Sequence, residues 1–449
     1  MNTQSLIAAV DRHKDLIYST FETIWKNPET GYKEWKTTKL AEEIFEDLSY
    51  ELHRAGDIPG FYTDIDTGRP GPMIALMGEL DSVICASHPE ADPETGAVHA
   101  CGHCAQMAGL VGLAAALKEP GVLDSMSGKI RLMAVPAEEL LEIGFRDGLR
   151  KNGTIHYYGG KVEFLYRGYF DGVDLAMMVH STHEENALYH FIPGSNGCLL
   201  KNVTYTGKAA HAGGSPHLGI NALYAATIGM QAVNSLRETF VEKDYIRFHP
   251  IITEGGQMVN AIPDRVQVES YVRGASWEAI LKANEAVNRA LAGGALAMGA
   301  NLVLGDRPGY SPLHNDPNLQ QICIDTMKEA FGPDSVRVLS EWNTGSTDMG
   351  DISTVMPAIH VYAAGAVGHG HGADYYIVDR DKACVGTSYC LLLTTEALLR
   401  DGAKAAMDVI RQAQPVFKSK EEYFALMDSL FLDGEAVCYE DGVAKVHWK

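Results

Sequence analysis

The segment His99-Ala100-Cys101-Gly102-His103-Cys104 places a thiol and an imidazole two residues apart, with a glycine between them that lets the backbone turn sharply. A thiolate and an imidazole at that spacing suit a borderline-soft divalent cation. Cys101 and Cys104 also have the spacing of a Cys-x-x-Cys redox pair, which is the competing reading. A structural zinc knuckle needs a second close-spaced pair of ligands, and the chain has none. Redox chemistry leaves three other features without a role: the adjacent carboxylates of Pro136-Ala137-Glu138-Glu139, the histidine at 180, and the imidazoles of Gly368-His369-Gly370-His371-Gly372. Neighbouring side chains on an extended or turning backbone diverge, so one glutamate can ligate a metal while the other faces a substrate as general base. Taken singly each feature is weak. Glutamate pairs are common on helix surfaces, and a lone histidine such as His211, in Gly207-Lys208-Ala209-Ala210-His211-Ala212-Gly213, is more often a plain surface residue.

The elements around these residues give the coincidence its weight. Short apolar runs at 73–77, 130–135 and 175–179 end at Gly78-Glu79-Leu80-Asp81, at Glu138-Glu139 and at His180, with a helix-like stretch at 107–117 between the first two. Strand and helix alternate, which predicts an α/β catalytic domain around a mainly parallel sheet. In such a sheet the ligand crevice lies beyond the carboxyl ends of the strands, so Asp81, Glu138, Glu139 and His180 are expected at one edge. Amphipathic spacing predicts helices over 6–24 and 34–52, and a long one over 383–413. A different texture fills 197–308: strands near 199–205, 245–253, 265–273 and 301–304, and helices at 221–236 and 277–291. This reads as an inserted α+β unit of ~110 residues, a length able to hold its own core. The expected division is therefore 1–196 and 309–449 for the catalytic domain and 197–308 for the insertion.

Composition bounds the function. With 449 residues, 46% of them hydrophobic and 21% charged, the chain is an ordinary globular protein long enough for two domains. Its formal charge of −21 repels a phosphate backbone, so no nucleic acid is expected as a partner. No run approaches the ~20 apolar residues of a membrane span, and the first fourteen residues interleave Asp11 and Lys14 with Leu6, Ile7 and Val10. A cytoplasmic protein without membrane association is the expectation. The eight cysteines are too scattered for a disulfide framework; six are read as small apolar fillers, and only Cys101 and Cys104 flank a histidine.

Assembled, these pieces resemble the M20 metallopeptidase and amidohydrolase family, in particular its branch of aminobenzoyl-glutamate, hippurate and auxin-conjugate hydrolases. The resemblance runs from Asn27-Pro28-Glu29 with Glu34, through Gly78 to Asp81, His99 to His103, Pro136 to Glu139 and His180. It continues over Gly207 to His211, Asn260-Ala261-Ile262-Pro263, Arg273, and Gly345-Ser346-Thr347-Asp348 to His371. The last of these stretches is most similar to the aminobenzoyl-glutamate branch. The resemblance implies a catalytic α/β domain interrupted by a smaller α+β lid that also forms a homodimer interface. It implies that Cys101, His103, Glu139, His180 and His371 hold one or two divalent ions, Zn2+ or Mn2+, with Cys101 as a candidate bridge and Asp81 supporting the ligands. His371 is preferred over His369 because Tyr375 follows it at the family's aromatic position. By the same resemblance Glu138 is the general base, His211 stabilises the oxyanion, in its own subunit or across a dimer, and Asn260 and Arg273 contact a small amide substrate. The family often carries Asp or Asn where Cys104 stands, and the 140–179 stretch is long for it. A dipeptidase, or a hydrolase of another C–N bond, uses the same machinery.

Overall fold

In the computed structural model residues 2–447 are described, and they form two compact units. The first comprises Met1–Gly194, Leu313–Trp342 and Asp348–Lys418; the second comprises Ser195–Pro312, Asn343–Thr347 and Ser419–Lys449.

The first unit is an α/β layer structure around an eight-stranded sheet. Its strands run in the order His53–Arg54, Phe61–Asp66, Lys129–Val135, Met73–Glu79, Leu175–Thr182, Ala358–Ala364, Tyr189–Phe191 and Val336–Val338. Met73–Glu79 pairs in parallel with both Lys129–Val135 and Leu175–Thr182, and the latter pairs in parallel with Ala358–Ala364. These central strands are nearly continuous buried apolar runs, the pattern of a parallel sheet covered on both faces. Helix His103–Leu117 is buried on every side over its 15 residues and has no polar stripe, so it can only be an interior helix. Gly112 lets it approach its neighbours: a Cβ there would lie 2.4 Å from Ile17 Cδ1 and 2.5 Å from Ser388 Oγ.

The second unit is an antiparallel sheet carrying two helices, Ala222–Ser235 and Trp277–Met298. Its strands are ordered Arg247–Phe248, Arg265–Gly274, Gly197–Thr206, Asn301–Pro308, Leu432–Glu440 and Val443–Val446, with Ile251–Glu254 also pairing with Arg265–Gly274. Lys201 and Asp306 pair inside it, and Asn284 Nδ2 donates to Asp306 Oδ2 at 2.7 Å.

The structure departs from the sequence expectation in three places. The chain end, read as part of the catalytic domain, joins the second unit instead: Leu432–Glu440 pairs with Asn301–Pro308 and covers an edge whose backbone groups would otherwise be unpaired. The first predicted helix is two, Thr3–Asp11 and Lys14–Trp25, and the turn between them lets Arg12 and His13 both reach Glu119 at 2.9 Å. The long helix near the end breaks at Arg400–Ala403, where Asp401, Gly402 and Ala403 have left-handed φ. Among the described residues no helix is long and apolar enough to cross a membrane.

Candidate metal centre

Strand ends build the centre, all within the first unit. Asp81 follows Met73–Glu79, Glu138 and Glu139 follow Lys129–Val135, and His180 lies near the end of Leu175–Thr182. Cys101 stands in the loop before helix His103–Leu117, which begins at His103 itself. Gly102 between them has φ +91°, and a Cβ there would sit 2.1 Å from Ser181 Oγ and 2.3 Å from Tyr375 Oη. A side chain at this position is excluded by both conformation and space.

The donor atoms converge in overlapping sets. Cys101, His103 and His180 form one, and Cys101, Glu139 and His371 a second; within each set the ligand atoms lie within 4.8 Å of one another. Cys101 Sγ is 3.4 Å from His180 Nε2, and His371 Nε2 is 3.0 Å from Glu139 Oε1. His103 Nδ1 faces only acceptors, Asp81 O and Oδ1, both at 3.0 Å, so Nδ1 carries the proton and Nε2 is left to ligate. That Nε2 is buried without a hydrogen-bond partner; Glu79 Oε2 is within ion-pair distance at 3.2 Å but misaligned. His180 Nδ1 likewise donates to Ser181 O at 2.8 Å, which turns Nε2 inward. One orphaned nitrogen, on His103, and a thiol shared between two donor sets suit one or two divalent cations.

Asp81 braces two of these candidate donors at once, because its Oδ2 also accepts from Glu139 N at 2.8 Å. Ala137, at φ +54°, makes the turn that separates Glu138 from Glu139, and its N–H donates to the buried Glu34 Oε1 at 2.7 Å. Arg146, enclosed at 1% exposure, donates to the carbonyls of Glu139 and, at 2.6 Å, Tyr158.

The electrostatics follow from crowding charges in a dry place. Burial opposes ionisation of Glu139, but His371 and His103 outweigh it and hold the carboxyl down to about 2. Glu139 in turn is the main cause that raises His371 to about 11. Burial and Glu139 work against a Cys101 thiolate, yet His103 and His180 prevail and bring it down to about 6. Glu138 goes the other way: burial first, then Glu79, Glu139 and Asp348, push it well above the usual carboxylate range. Cys104 is buried in the helix and pushed up to about 12 by that burial, which disfavours its thiolate and with it a Cys101–Cys104 redox couple.

The remaining sequence candidates lie in the second unit. His211 is exposed, and its Nδ1 accepts from Gly213 N at 3.1 Å and Gly214 N at 2.9 Å, so the ring proton sits on Nε2. Asn260 is brought beside it: Asn260 O accepts from Ala212 N at 2.9 Å, and His211 bridges to Ala261. Arg273 Nη1 is 3.3 Å from Ser346 Oγ, and its guanidinium lies over the Tyr271 ring.

Compared with known proteins, residues 75–394 match the sequence profile of Peptidase family M20/M25/M40. The chain belongs to this M20 family. The M20 chain is 26% identical over 414 residues to the human Xaa-Arg dipeptidase, covering 87% of this chain and 88% of the relative. It is 28% identical over 277 residues to one of the subunits of the p-aminobenzoyl-glutamate hydrolase of Escherichia coli, 59% of this chain and 52% of that one. In fold it is similar to a dinuclear metal-binding M20 peptidase of Bacillus subtilis, with a TM-score of 0.63 at 19% identity over 87% of this chain and 99% of the other. As an M20 enzyme it is a metal-dependent hydrolase.

Sequence reasoning did not assign a role to one group in this M20 centre. Lys161 is fully buried and contacts Glu79 and, at 2.5 Å, Asp348. The only local signal is a lysine set in the otherwise compact run Gly159-Gly160-Lys161-Val162.

Proposed function

We propose that this hydrolase cleaves the amide bond of an N-acyl or N-aroyl amino acid, with an aminobenzoyl-glutamate-like compound as substrate. One or two divalent ions, Zn2+ or Mn2+, are held by Cys101, His103, Glu139, His180 and His371. The observation that carries this reading is that Cys101 belongs to two donor sets at once, while Glu138 stands outside both and meets His103 and Glu139 in a set of its own. Bound there, a divalent cation supplies Lewis acidity, lowering the pKa of water from 15.7 to about 7 and polarising the scissile carbonyl.

The chain's own groups do the rest. Glu138 takes the proton of the attacking water and passes it to the departing amine; its raised proton affinity suits a group that must accept and return a proton near neutral pH. His211 donates from Nε2 to the developing oxyanion, in keeping with the two backbone N–H groups that occupy Nδ1. Asn260 and Arg273 contact the substrate, Arg273 through its carboxylate. The second unit serves as a homodimer interface, with His211 acting on the partner subunit. A cytosolic setting is part of the same proposal.

Metal analysis of the purified protein coupled to a screen of N-acyl and N-aroyl amino acids tests the reading. Glu138→Ala should keep metal and fold and lose ~10²- to 10⁴-fold in turnover; full activity in that variant refutes the assignment. Mixing Glu138→Ala with His211→Ala protein should restore partial activity, and no rescue places His211 in its own subunit's site. The similarity to Xaa-Arg dipeptidase favours a second reading, hydrolysis of dipeptides, so the same screen includes them.

A further inference from the structure

Beyond the two donor sets that share Cys101 and a third of His103, Glu138 and Glu139, a fourth cluster gathers Glu79, Glu138 and Asp348, all buried, with oxygen atoms within 4.8 Å of one another. Three converging carboxylate oxygens would ordinarily attract a hard divalent cation. Here the chain supplies its own cation. Lys161 Nζ donates to Glu79 Oε1 and to Asp348 Oδ1, and the lysine side chain is 0% exposed. The opposite oxygen of each carboxylate is fixed as well: Asp348 Oδ2 accepts from Lys161 N at 2.9 Å, and Glu79 Oε2 from Gln106 Nε2 at 2.7 Å. Burial works against the ammonium, but Asp348, Glu79 and Glu138 together outweigh it and hold Lys161 above the ordinary lysine range. Glu79 stands next to the metal-ligand candidate His103, its Oε2 3.2 Å from His103 Nε2. A buried carboxylate pair beside a metal centre is a competing sink for metal unless something else neutralises it.

We propose that Lys161 is a resident cation, filling a position that Glu79, Glu138 and Asp348 would otherwise offer to a divalent ion and thereby confining metal to the donor sets built on Cys101. This rests on the metal-dependent reading of the neighbouring centre. Lys161 is on this view a positioning residue, since its side chain is fully buried and acts by holding Glu79 and Asp348 in place.

The test is a metal count. Wild-type and Lys161→Ala protein are equilibrated with the same free Mn2+ and assayed for metal per chain, and their melting temperatures are followed as Mn2+ is raised. Lys161→Ala empties the space of the aminobutyl chain while keeping the three carboxylates. The expected result is one additional equivalent of Mn2+ in Lys161→Ala, with a melting temperature that climbs with Mn2+ beyond the wild-type response. The double variant Lys161→Ala/Asp348→Asn, which loses ammonium and carboxylate together, should return to the wild-type count. Equal counts in wild type and Lys161→Ala overturn the proposal, and so does a double variant that also gains the ion. A Lys161→Ala protein that stays aggregated when refolded with Mn2+ overturns it as well, because the ion should replace the lost charge. The wild-type count is the separate control: a wild type that binds no metal removes the metal-centre reading, whereas a metal-loaded wild type with an unchanged Lys161→Ala count removes only the resident cation.

Discussion

Asp81→Asn isolates the support of the proposed metal ligands from those ligands themselves. Asp81 accepts on both oxygens, from His103 Nδ1 at 3.0 Å and from Glu139 N at 2.8 Å. An asparagine of the same shape has one acceptor and one donor end, so it can satisfy one of these bonds and must confront the other. With the amide turned toward Glu139, two donors meet; turned toward His103, it favours the tautomer with a proton on Nε2, the atom needed for metal. A hydrogen bond to a charged group is worth about 1.5–3 kcal/mol, which at ~1.4 kcal/mol per decade is roughly 10- to 150-fold in metal affinity. The backbone carbonyl of Asp81 also lies 3.0 Å from His103 Nδ1 and survives the substitution, so the lower part of that range applies. The expected outcome is about a tenfold weaker affinity for Mn2+ or Zn2+ by chelator competition, in line with the 10- to 100-fold loss usual for such outer partners. Turnover at saturating metal should change little, because Glu138 is untouched. An Asp81→Asn protein that binds metal as tightly as wild type refutes the claim that Asp81 orients His103 and Glu139.

Arg146→Met removes a buried guanidinium that donates to Tyr158 O and to Glu139 O, the latter keeping Leu141 N at 2.8 Å; with two hydrogen bonds to a charged group lost at about 1.5–3 kcal/mol each, denaturant unfolding should show a loss of ~3–6 kcal/mol, and a near-neutral result would mean that the guanidinium adds no net stability there. His360 is buried with both ring nitrogens unpaired, and burial, then His180, lower its pKa to about 3. Because the folded value lies below the unfolded ~6.5, the unfolded chain takes the proton first, and stability present above pH 6.5 is lost as pH falls toward 3, by about 2 kcal/mol at pH 5. His360→Leu should therefore show a smaller drop in melting temperature between pH 7.5 and pH 5 than wild type, and an unchanged drop would place the acid sensitivity elsewhere.

The residues legible in the sequence are those whose position follows from a strand end. Asp81, Glu138, Glu139 and His180 terminate apolar runs, and a parallel sheet brings its carboxyl edges together whatever the intervening chain does. Cys101 and His103 are legible for a different reason: the glycine between them has a conformational use that the structure places at φ +91°. The role of Lys161 could not be read, because nothing local distinguishes a lysine that will meet two carboxylates 82 and 187 residues away from one that will reach solvent. Arg146 is the same case, a long cation at 1% exposure and the buried residue of helix Ile143–Lys151. The fate of the chain end was hidden because strand pairing in the second unit joins Leu302 to Val437, a contact with no local signature.

The proton balance of the centre makes a prediction that does not depend on substrate. Glu79, Glu138 and Asp348 are buried around one fully buried lysine, while Asp81 and Glu139 face the imidazoles of His103 and His371 and favour their protonated forms whenever no metal is present. His371 is raised to about 11, chiefly by Glu139, and His103 is raised as well, Glu79 and Cys101 overcoming the effect of burial. A ligand nitrogen must shed its proton before it can bind a cation, so metal and proton compete for the same lone pair. Below a raised pKa the metal-free site is protonated, hence the apparent affinity should rise with pH by about one decade per unit for each proton displaced. Cys101, brought down to about 6, is already a thiolate above that value and adds no slope there. Between pH 7 and 9 the expected slope is therefore at least one from His371, and steeper if His103 also releases its proton. Calorimetric titration of Mn2+ in buffers of different ionisation heat, repeated at pH 7, 8 and 9, reads both the slope and the protons released. An affinity flat across that range would mean that His371 is not displaced from its pairing with Glu139, and the second donor set would lose its imidazole.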